Sequence, residues 1–146
     1  MFTRLLTVCI GNICRSPMAE ALLRAHLEAA GKPGVRVQSA GLAALVGRPA
    51  DPLAQALLAE RGIDLSQHRA RQLTSSLVTG SDLVLVMDEE QQRAVEKLCP
   101  TARGRVQRLG RFGKFDVPDP YGGSRAHFEE ALRLIDRGIA DFARVL

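Results

Sequence analysis

Cys9 and Arg15 stand six positions apart in Val-Cys-Ile-Gly-Asn-Ile-Cys-Arg-Ser-Pro, residues 8–17. A thiolate is a strong nucleophile, and a guanidinium forks onto two oxygens of a phosphoryl group at once. The pair therefore suits attack of sulfur on phosphorus. A thiol attacks poorly until it ionises, and a helix N-terminus with a neighbouring arginine favours the ionised form. The same helix start, with N–H groups of a tight loop turned inward, makes a dianion cradle from Ile10, Gly11, Asn12, Ile13, Cys14, Arg15 and Ser16. The expected intermediate is a phosphocysteine with its equatorial oxygens held by Arg15 and the loop amides. The bare Cys-x5-Arg spacing is weak in an arginine-rich chain, so its surroundings must carry the weight.

Those surroundings fit. Leu5-Leu6-Thr7-Val8 reads as a short buried strand delivering Cys9. Gly11-Asn12 permits a positive φ in the loop. Ser16-Pro17 reads as an N-cap followed by proline at the first helical position. Met18, Ala21, Leu22 and Ala25 follow at helical spacing, and Gly31 is placed to end the helix.

A phosphoryl leaving group needs a proton, so a carboxylic acid is expected elsewhere. Asp119 is the best candidate, in Val117-Pro118-Asp119-Pro120-Tyr121-Gly122-Gly123, where flanking prolines hold it on a stiff loop. On the loop alone, Pro-Asp-Pro reads more readily as an ordinary turn. Asp51, before Pro52, fits a helix cap better, and Asp116 sits in no distinctive setting.

Four apolar runs read as strands, at residues 5–9, 35–39, 83–87 and 105–109, with helical patterns between them. Asp51-Pro52 opens a short helix ending at Gly62, and Asp88 caps one over Glu89–Leu98 that Pro100 stops. Phe128, Ala131, Leu132, Ile135, Ile139, Phe142 and Leu146 form one apolar stripe on a last helix capped by Ser124. The alternation implies a single α/β domain over residues 1–146, doubly wound, with a four-stranded parallel sheet covered by helices on both faces. Ligands in such sheets bind at the carboxyl ends of strands near a switch in strand order, where Cys9 is expected.

The two motif segments together resemble the low-molecular-weight protein tyrosine phosphatase family. Its signature is Cys-x-Gly-Asn-x-Cys-Arg-Ser-Pro near the N-terminus and Asp-Pro-Tyr near the C-terminus, both present here in order. Ser39-Ala40-Gly41 and His68-x-Ala70-Arg71-Gln72 also look like family segments. The resemblance implies Cys9 as nucleophile, Arg15 as phosphate clamp and Asp119 as acid, then base. It implies that Ser16 hydrogen-bonds the thiolate and that Asn12 braces the loop through Ser39 and His68. Ile13, Leu45 and Tyr121 would line the substrate cleft. Cys14 would form a reversible disulfide with an oxidised Cys9. No metal or other cofactor is implied. Residues 39–47 and Ser124-Arg125 are similar to bacterial phosphatases acting on tyrosine autokinases of capsule and exopolysaccharide export, which suggests that partner. Gly122 stands where many relatives carry a second aromatic beside Tyr121, which suggests a more open cleft wall and leaves paired-tyrosine regulation open.

The chain has 146 residues, a net charge of +4 and a pI near 9.4. That balance favours anionic substrates, but the basic residues are scattered and aromatics make up only 4%, so no nucleic-acid stripe is read. Neither a signal peptide nor a membrane-spanning stretch is recognised, and three cysteines do not suggest a disulfide framework, so a cytosolic enzyme is expected. Cys99 reads as a core residue, and His26 and His127 lack metal-ligand spacing.

The same residues speak against rival chemistries. A thioredoxin-coupled arsenate reductase needs a relay of downstream cysteines, yet Asp88 follows the third strand and Cys99 is the only downstream cysteine. A protein arginine phosphatase carries threonine where Ile13 stands, and an apolar side chain suits a phenyl ring better than a guanidinium. A cysteine phosphocarrier would preserve its phosphocysteine, which Arg15 with an acid in place argues against. A binding module without catalysis would have lost one of the three chemical residues.

Overall fold

Leu5, Leu6, Thr7, Val8 and Cys9 are all buried, as a strand covered on both faces requires. In the computed structural model, which describes residues 2–146, they belong to β1 (Arg4–Cys9). The chain continues through α1 (Arg15–Ala29), β2 (Arg36–Gly41), α2 (Pro52–Ala59) and α3 (Ser75–Thr79). It then runs through β3 (Leu83–Val86), α4 (Glu89–Leu98), a 3-10 turn (Pro100–Ala102), β4 (Val106–Arg108) and α5 (Arg125–Phe142). The four strands are parallel in the order β2-β1-β3-β4. The chain steps from β1 to β2 on one side, then crosses back to β3 on the other. The switch in strand order therefore falls between β1 and β3, at whose carboxyl ends Cys9 and Asp88 lie.

Alternation along the strands divides the core. Leu5, Cys9, Val37, Leu83, Leu85 and Met87 pack with residues of α1, α2 and α5. Leu6, Val8, Ala40, Val84 and Val86 pack on the other face with Val78 of α3 and Val95 of α4. The expected stripe on α5 is buried from Phe128 to Phe142, and Leu146 packs against it partly buried.

Several helix ends follow the sequence. Asp51 accepts from Leu53 N–H at 2.9 Å and Asp88 from Gln91 N–H at 2.8 Å. Ser124 N–H donates to Nδ1 of His127, three residues on, at 3.0 Å. Gly31, with φ +76°, ends α1 through Gly31 N–H to Glu28 O and Lys32 N–H to Leu27 O. One end differs. Helix α1 starts at Arg15 with Cys14 before it, so Ser16 is not the cap and Pro17 is not the first helical residue. The Ser16 hydroxyl is instead engaged with Cys9 and Asn12. Pro17 is still harmless there, because a first-turn N–H has no helical acceptor. The periodicity also missed α3 and the 3-10 turn, which are too short to repeat a pattern. Among the described residues, no helix is long and apolar enough to cross a membrane.

Asp82 ties the starts of the two central strands together. Its carboxylate accepts from Thr3 N–H, Arg4 N–H and Thr3 Oγ1 at 2.8–2.9 Å, and the two backbone bonds, then the hydroxyl, hold its pKa below the usual range. A lowered folded pKa gives stability that is present above the unfolded pKa and lost as pH falls through the folded one. Asp82→Asn is expected to lower the melting temperature at neutral pH, with the gap to wild type closing below about pH 4. Melting curves across that range test this; a gap constant with pH would contradict it.

Candidate active site

The backbone from Cys9 to Cys14 turns its carbonyls away from the cysteine sulfur. Leu42, Ala43, Leu45 and Asp51 N–H donate to the carbonyls of Cys9, Ile10, Gly11 and Ile13 at 2.8–3.0 Å. His68 Nε2 meets the Asn12 carbonyl at 2.7 Å, and Met18 N–H reaches the Cys14 carbonyl at 3.3 Å. A planar trans peptide points its N–H opposite to its C=O, so these anchors turn the following N–H groups inward. Among the described residues, the N–H groups of Gly11, Asn12, Ile13 and Cys14 have no protein acceptor. Such a ring of convergent donors at a helix start is an anion-binding nest.

Asn12 makes the turn possible. It carries the left-handed conformation, φ 59°, whereas Gly11 does not, so the loop's positive φ falls on the asparagine. Its side-chain amide donates to Ser16 Oγ at 2.8 Å and Ser39 Oγ at 3.0 Å, and its Oδ1 accepts from Arg71 N–H at 2.9 Å. Ser39 in turn donates to Glu20, which is paired with Arg24 at 2.6 Å. The expected partners Ser39 and His68 are thus both on Asn12, with Arg71 of the same family-like segment, and Glu20 joins them without having been singled out in the sequence. Behind the loop, a Cβ on Gly41 would lie 2.4 Å from the Ile10 carbonyl, so only glycine permits this approach.

Cys9 is 2% exposed, and its Sγ lies 2.9 Å from Ser16 Oγ at the start of α1. The buried Arg15 side chain comes in from the other direction. Its Nη1 donates to Val117 O at 2.9 Å, Nη2 lies 3.7 Å from Asp119 Oδ2, and Nη1 lies 3.9 Å from Asp88 Oδ2. Its Nε is buried without a partner. The guanidinium therefore keeps donor capacity for an oxyanion while Val117 fixes its plane. Asp119 is half-exposed and accepts from Tyr121 N–H at 3.1 Å, an Asx turn that orients the carboxyl on its Pro-Asp-Pro segment. Asp116, the rival, is held by Arg108 at 2.8 Å, and Asp51 is occupied as a helix cap. Asp88 is the surprise: the sequence marked it only as a cap, although its place after β3, beside β1, is a switch-point position.

The cleft over Cys9 measures about 190 Å³, and Ile13, Ala43, Leu45, Asp119 and Tyr121 line it. Tyr121 stands 58% exposed at its rim, and Gly122, at φ +77°, turns the chain away with open space around it. Cys14 also lines the cleft. Burial, then the charges of Asp51, Cys9 and Asp119, push its thiol far above the usual cysteine range against a smaller opposing effect of Arg15. Cys99 is buried with Val95 and Val106 on the other side of the sheet from Cys9.

Residues 4–146 match the family model for low molecular weight phosphotyrosine protein phosphatase. Among curated relatives, a probable low molecular weight protein-tyrosine-phosphatase EpsP of Ralstonia nicotianae is 53% identical over 95% of this chain and 92% of that protein. The low molecular weight protein-tyrosine-phosphatase Wzb of Escherichia coli K12 is 41% identical over 100% of this chain and 97% of its own length. Among solved structures, Vibrio vulnificus Wzb in complex with benzylphosphonate superposes with a TM-score of 0.92 at 39% identity, covering 100% of both chains.

Proposed function

This chain belongs to the low molecular weight phosphotyrosine protein phosphatases, and from that premise we propose how its residues hydrolyse protein phosphotyrosine. The observation that carries the proposal is the outward anchoring of every carbonyl from Cys9 to Cys14. Cys9 Sγ attacks phosphorus and forms an S–P bond as the bond to the tyrosine oxygen breaks. Asp119, protonated at the start, gives its proton to the departing phenolate. Arg15 and the inward N–H groups hold the three equatorial oxygens, where charge is spread in the transition state. Asp119, now a carboxylate, takes a proton from water. That water attacks the phosphocysteine, the S–P bond breaks, and phosphate leaves with the thiolate restored. Ser16 stabilises the sulfur anion, and Asn12, Ser39 and His68 hold the loop in shape.

Substrate choice rests on the cleft walls. Ile13 and Leu45 offer apolar surface to a flat ring, and Tyr121 meets it at the rim. The natural substrate is a tyrosine-phosphorylated protein in the cytoplasm, and a tyrosine autokinase of polysaccharide export is the partner favoured by the sequence around residues 39–47. Cys14 lines the same cleft as Cys9 and is placed to condense with a sulfenic acid on Cys9, losing water to give a disulfide, while the burial that keeps its thiol protonated slows that step. The burial of Cys99 on the opposite side of the sheet argues against a reductase relay.

Turnover of phosphotyrosine, phosphoserine and phosphoarginine peptides in metal-free buffer tests the reading. Phosphotyrosine is expected to be the preferred substrate, and preference for either of the others would overturn it. Asp119→Ala is expected to slow esters with poor leaving groups on the order of 10²–10⁴-fold while sparing good leaving groups, because only a basic phenolate needs the proton. A series of aryl phosphates of graded acidity checks this. Equal losses across the series would remove Asp119 from the acid role.

A further inference from the structure

Gln91 stands on the first turn of α4, outside the cleft, yet it is only 2% exposed. Its Oε1 accepts from Met87 N–H at 3.0 Å, and its Nε2 is buried with no partner. An orphan buried donor destabilises a protein, so the amide carries a desolvation cost that its one bond to Met87 must offset. The sheet accounts for the acceptor. β1 pairs with β3 only as far as Thr7 with Leu85, although β1 runs on beside β2 to Cys9. Met87, fully buried, lies two residues past that last pair, and Gln91 supplies what a strand carbonyl otherwise would.

What Met87 holds gives this bond its reach. Its carbonyl accepts from Val117 N–H at 2.8 Å, and the Val117 carbonyl accepts from Arg15 Nη1 at 2.9 Å. Asp119 follows two residues later on the same segment. Gln91 also donates its own N–H to Asp88, whose other oxygen faces Arg15 Nη1 at 3.9 Å. A continuous path therefore runs from Gln91 through Met87 and Val117 to the guanidinium, with the acid-bearing loop rooted in it.

We propose that Gln91 is a positioning residue for Arg15 and Asp119, acting through the Met87 and Val117 backbone without touching substrate. The proposal rests on the reading of Arg15 as phosphate clamp and Asp119 as acid. Leucine at this site fills similar space and removes the orphan Nε2, but it strips Met87 N–H of its acceptor. A purely structural role moves only the melting temperature. A positioning role moves how Arg15 binds phosphate and how Asp119 protonates, since small misplacements are costly in catalysis.

The test uses the full chain with Gln91→Leu and Gln91→Glu, the latter keeping an oxygen where Oε1 lies. Inhibition by inorganic phosphate is the deciding readout. Gln91→Leu is expected to weaken it on the order of 10-fold and to steepen the leaving-group dependence of turnover, and Gln91→Glu to recover most of both. Wild-type phosphate inhibition in Gln91→Leu, or equal loss in both variants, overturns the proposal. If Gln91→Leu does not fold, amide exchange on the wild type decides. Saturating inorganic phosphate should slow exchange at Met87 and Val117, because coupling between sites is reciprocal, and no change at either overturns it. The Asp119→Ala series run alongside separates the two readings. A flat response there removes the acid assignment, while the phosphate readout still bears on Gln91.

Discussion

Cys9→Ser is expected to abolish phosphotyrosine turnover while leaving phosphate bound. The substitution changes one atom. The inward N–H groups of residues 11–14, the Arg15 guanidinium and the anchors behind the loop are all made by other atoms and remain. An anion should therefore still raise the melting temperature, by mass action, much as it does in the wild type. A serine hydroxyl, in contrast, stays protonated at neutral pH and has no base beside it to take its proton. The neighbour at 2.9 Å is the Ser16 hydroxyl, and Asp119 is engaged 3.7 Å from Arg15. Loss of the nucleophile should lower kcat on the order of 10⁴-fold or more. The two halves of the result are read together, kcat by phosphate release and binding by thermal shift. Turnover near the wild-type rate would refute sulfur attack. Loss of phosphate-induced stabilisation would mean that the sulfur shapes the loop as well as attacking.

Arg15→Lys is expected to be nearly as damaging although it keeps the charge. Arg15 does two things at once. Nη1 is committed to the Val117 carbonyl at 2.9 Å, and the buried, unpartnered Nε is among the donors the proposed clamp keeps for the oxyanion. Lysine offers a point charge with three donors and cannot keep both contacts in one plane. It also leaves the Val117 carbonyl to find another donor in a buried setting. The expected loss in kcat/KM is on the order of 10³-fold, in the range seen when a transition-state arginine is removed. Phosphate inhibition should weaken in parallel. A lysine enzyme within about tenfold of wild type would mean that charge alone suffices and that the fork geometry contributes little.

Much of this site was readable because its first half is local. Cys9, Asn12, Arg15 and Ser16 sit within eight residues, and strand, loop and helix signals flank them in order. Asp51 and Asp88 announced their caps because capping depends on the next three residues. The misplaced helix start has a tertiary cause. Ser16-Pro17 has the composition of a helix start, but the Ser16 hydroxyl is drawn to Cys9 and Asn12, and the helix begins one residue earlier. Local propensity could not weigh a competing tertiary partner. The approach of Asp88 to Arg15, and the parts played by Glu20 and Gln91, escaped notice for a related reason. Their roles depend on which strand lies beside β1, and the order β2-β1-β3-β4 has no signature in any one segment. Ser39 and His68 were legible only through likeness to a family, because their hydrogen bonds to Asn12 span 27 and 56 residues.

The bond from Arg15 to Val117 joins residues 102 apart in the chain. At roughly 5–20 residues per second, a ribosome makes Cys9 several seconds before it makes the segment that aligns Arg15 and carries Asp119. For that interval the growing polypeptide holds the proposed nucleophile without the proposed acid. Helix α5, which packs against α1, emerges later still. Hydrolysis begins only when the newest part of the chain closes onto the oldest. An activity assay on freshly translated protein therefore counts finished molecules, and a chain stalled before residue 117 holds the thiol without the enzyme.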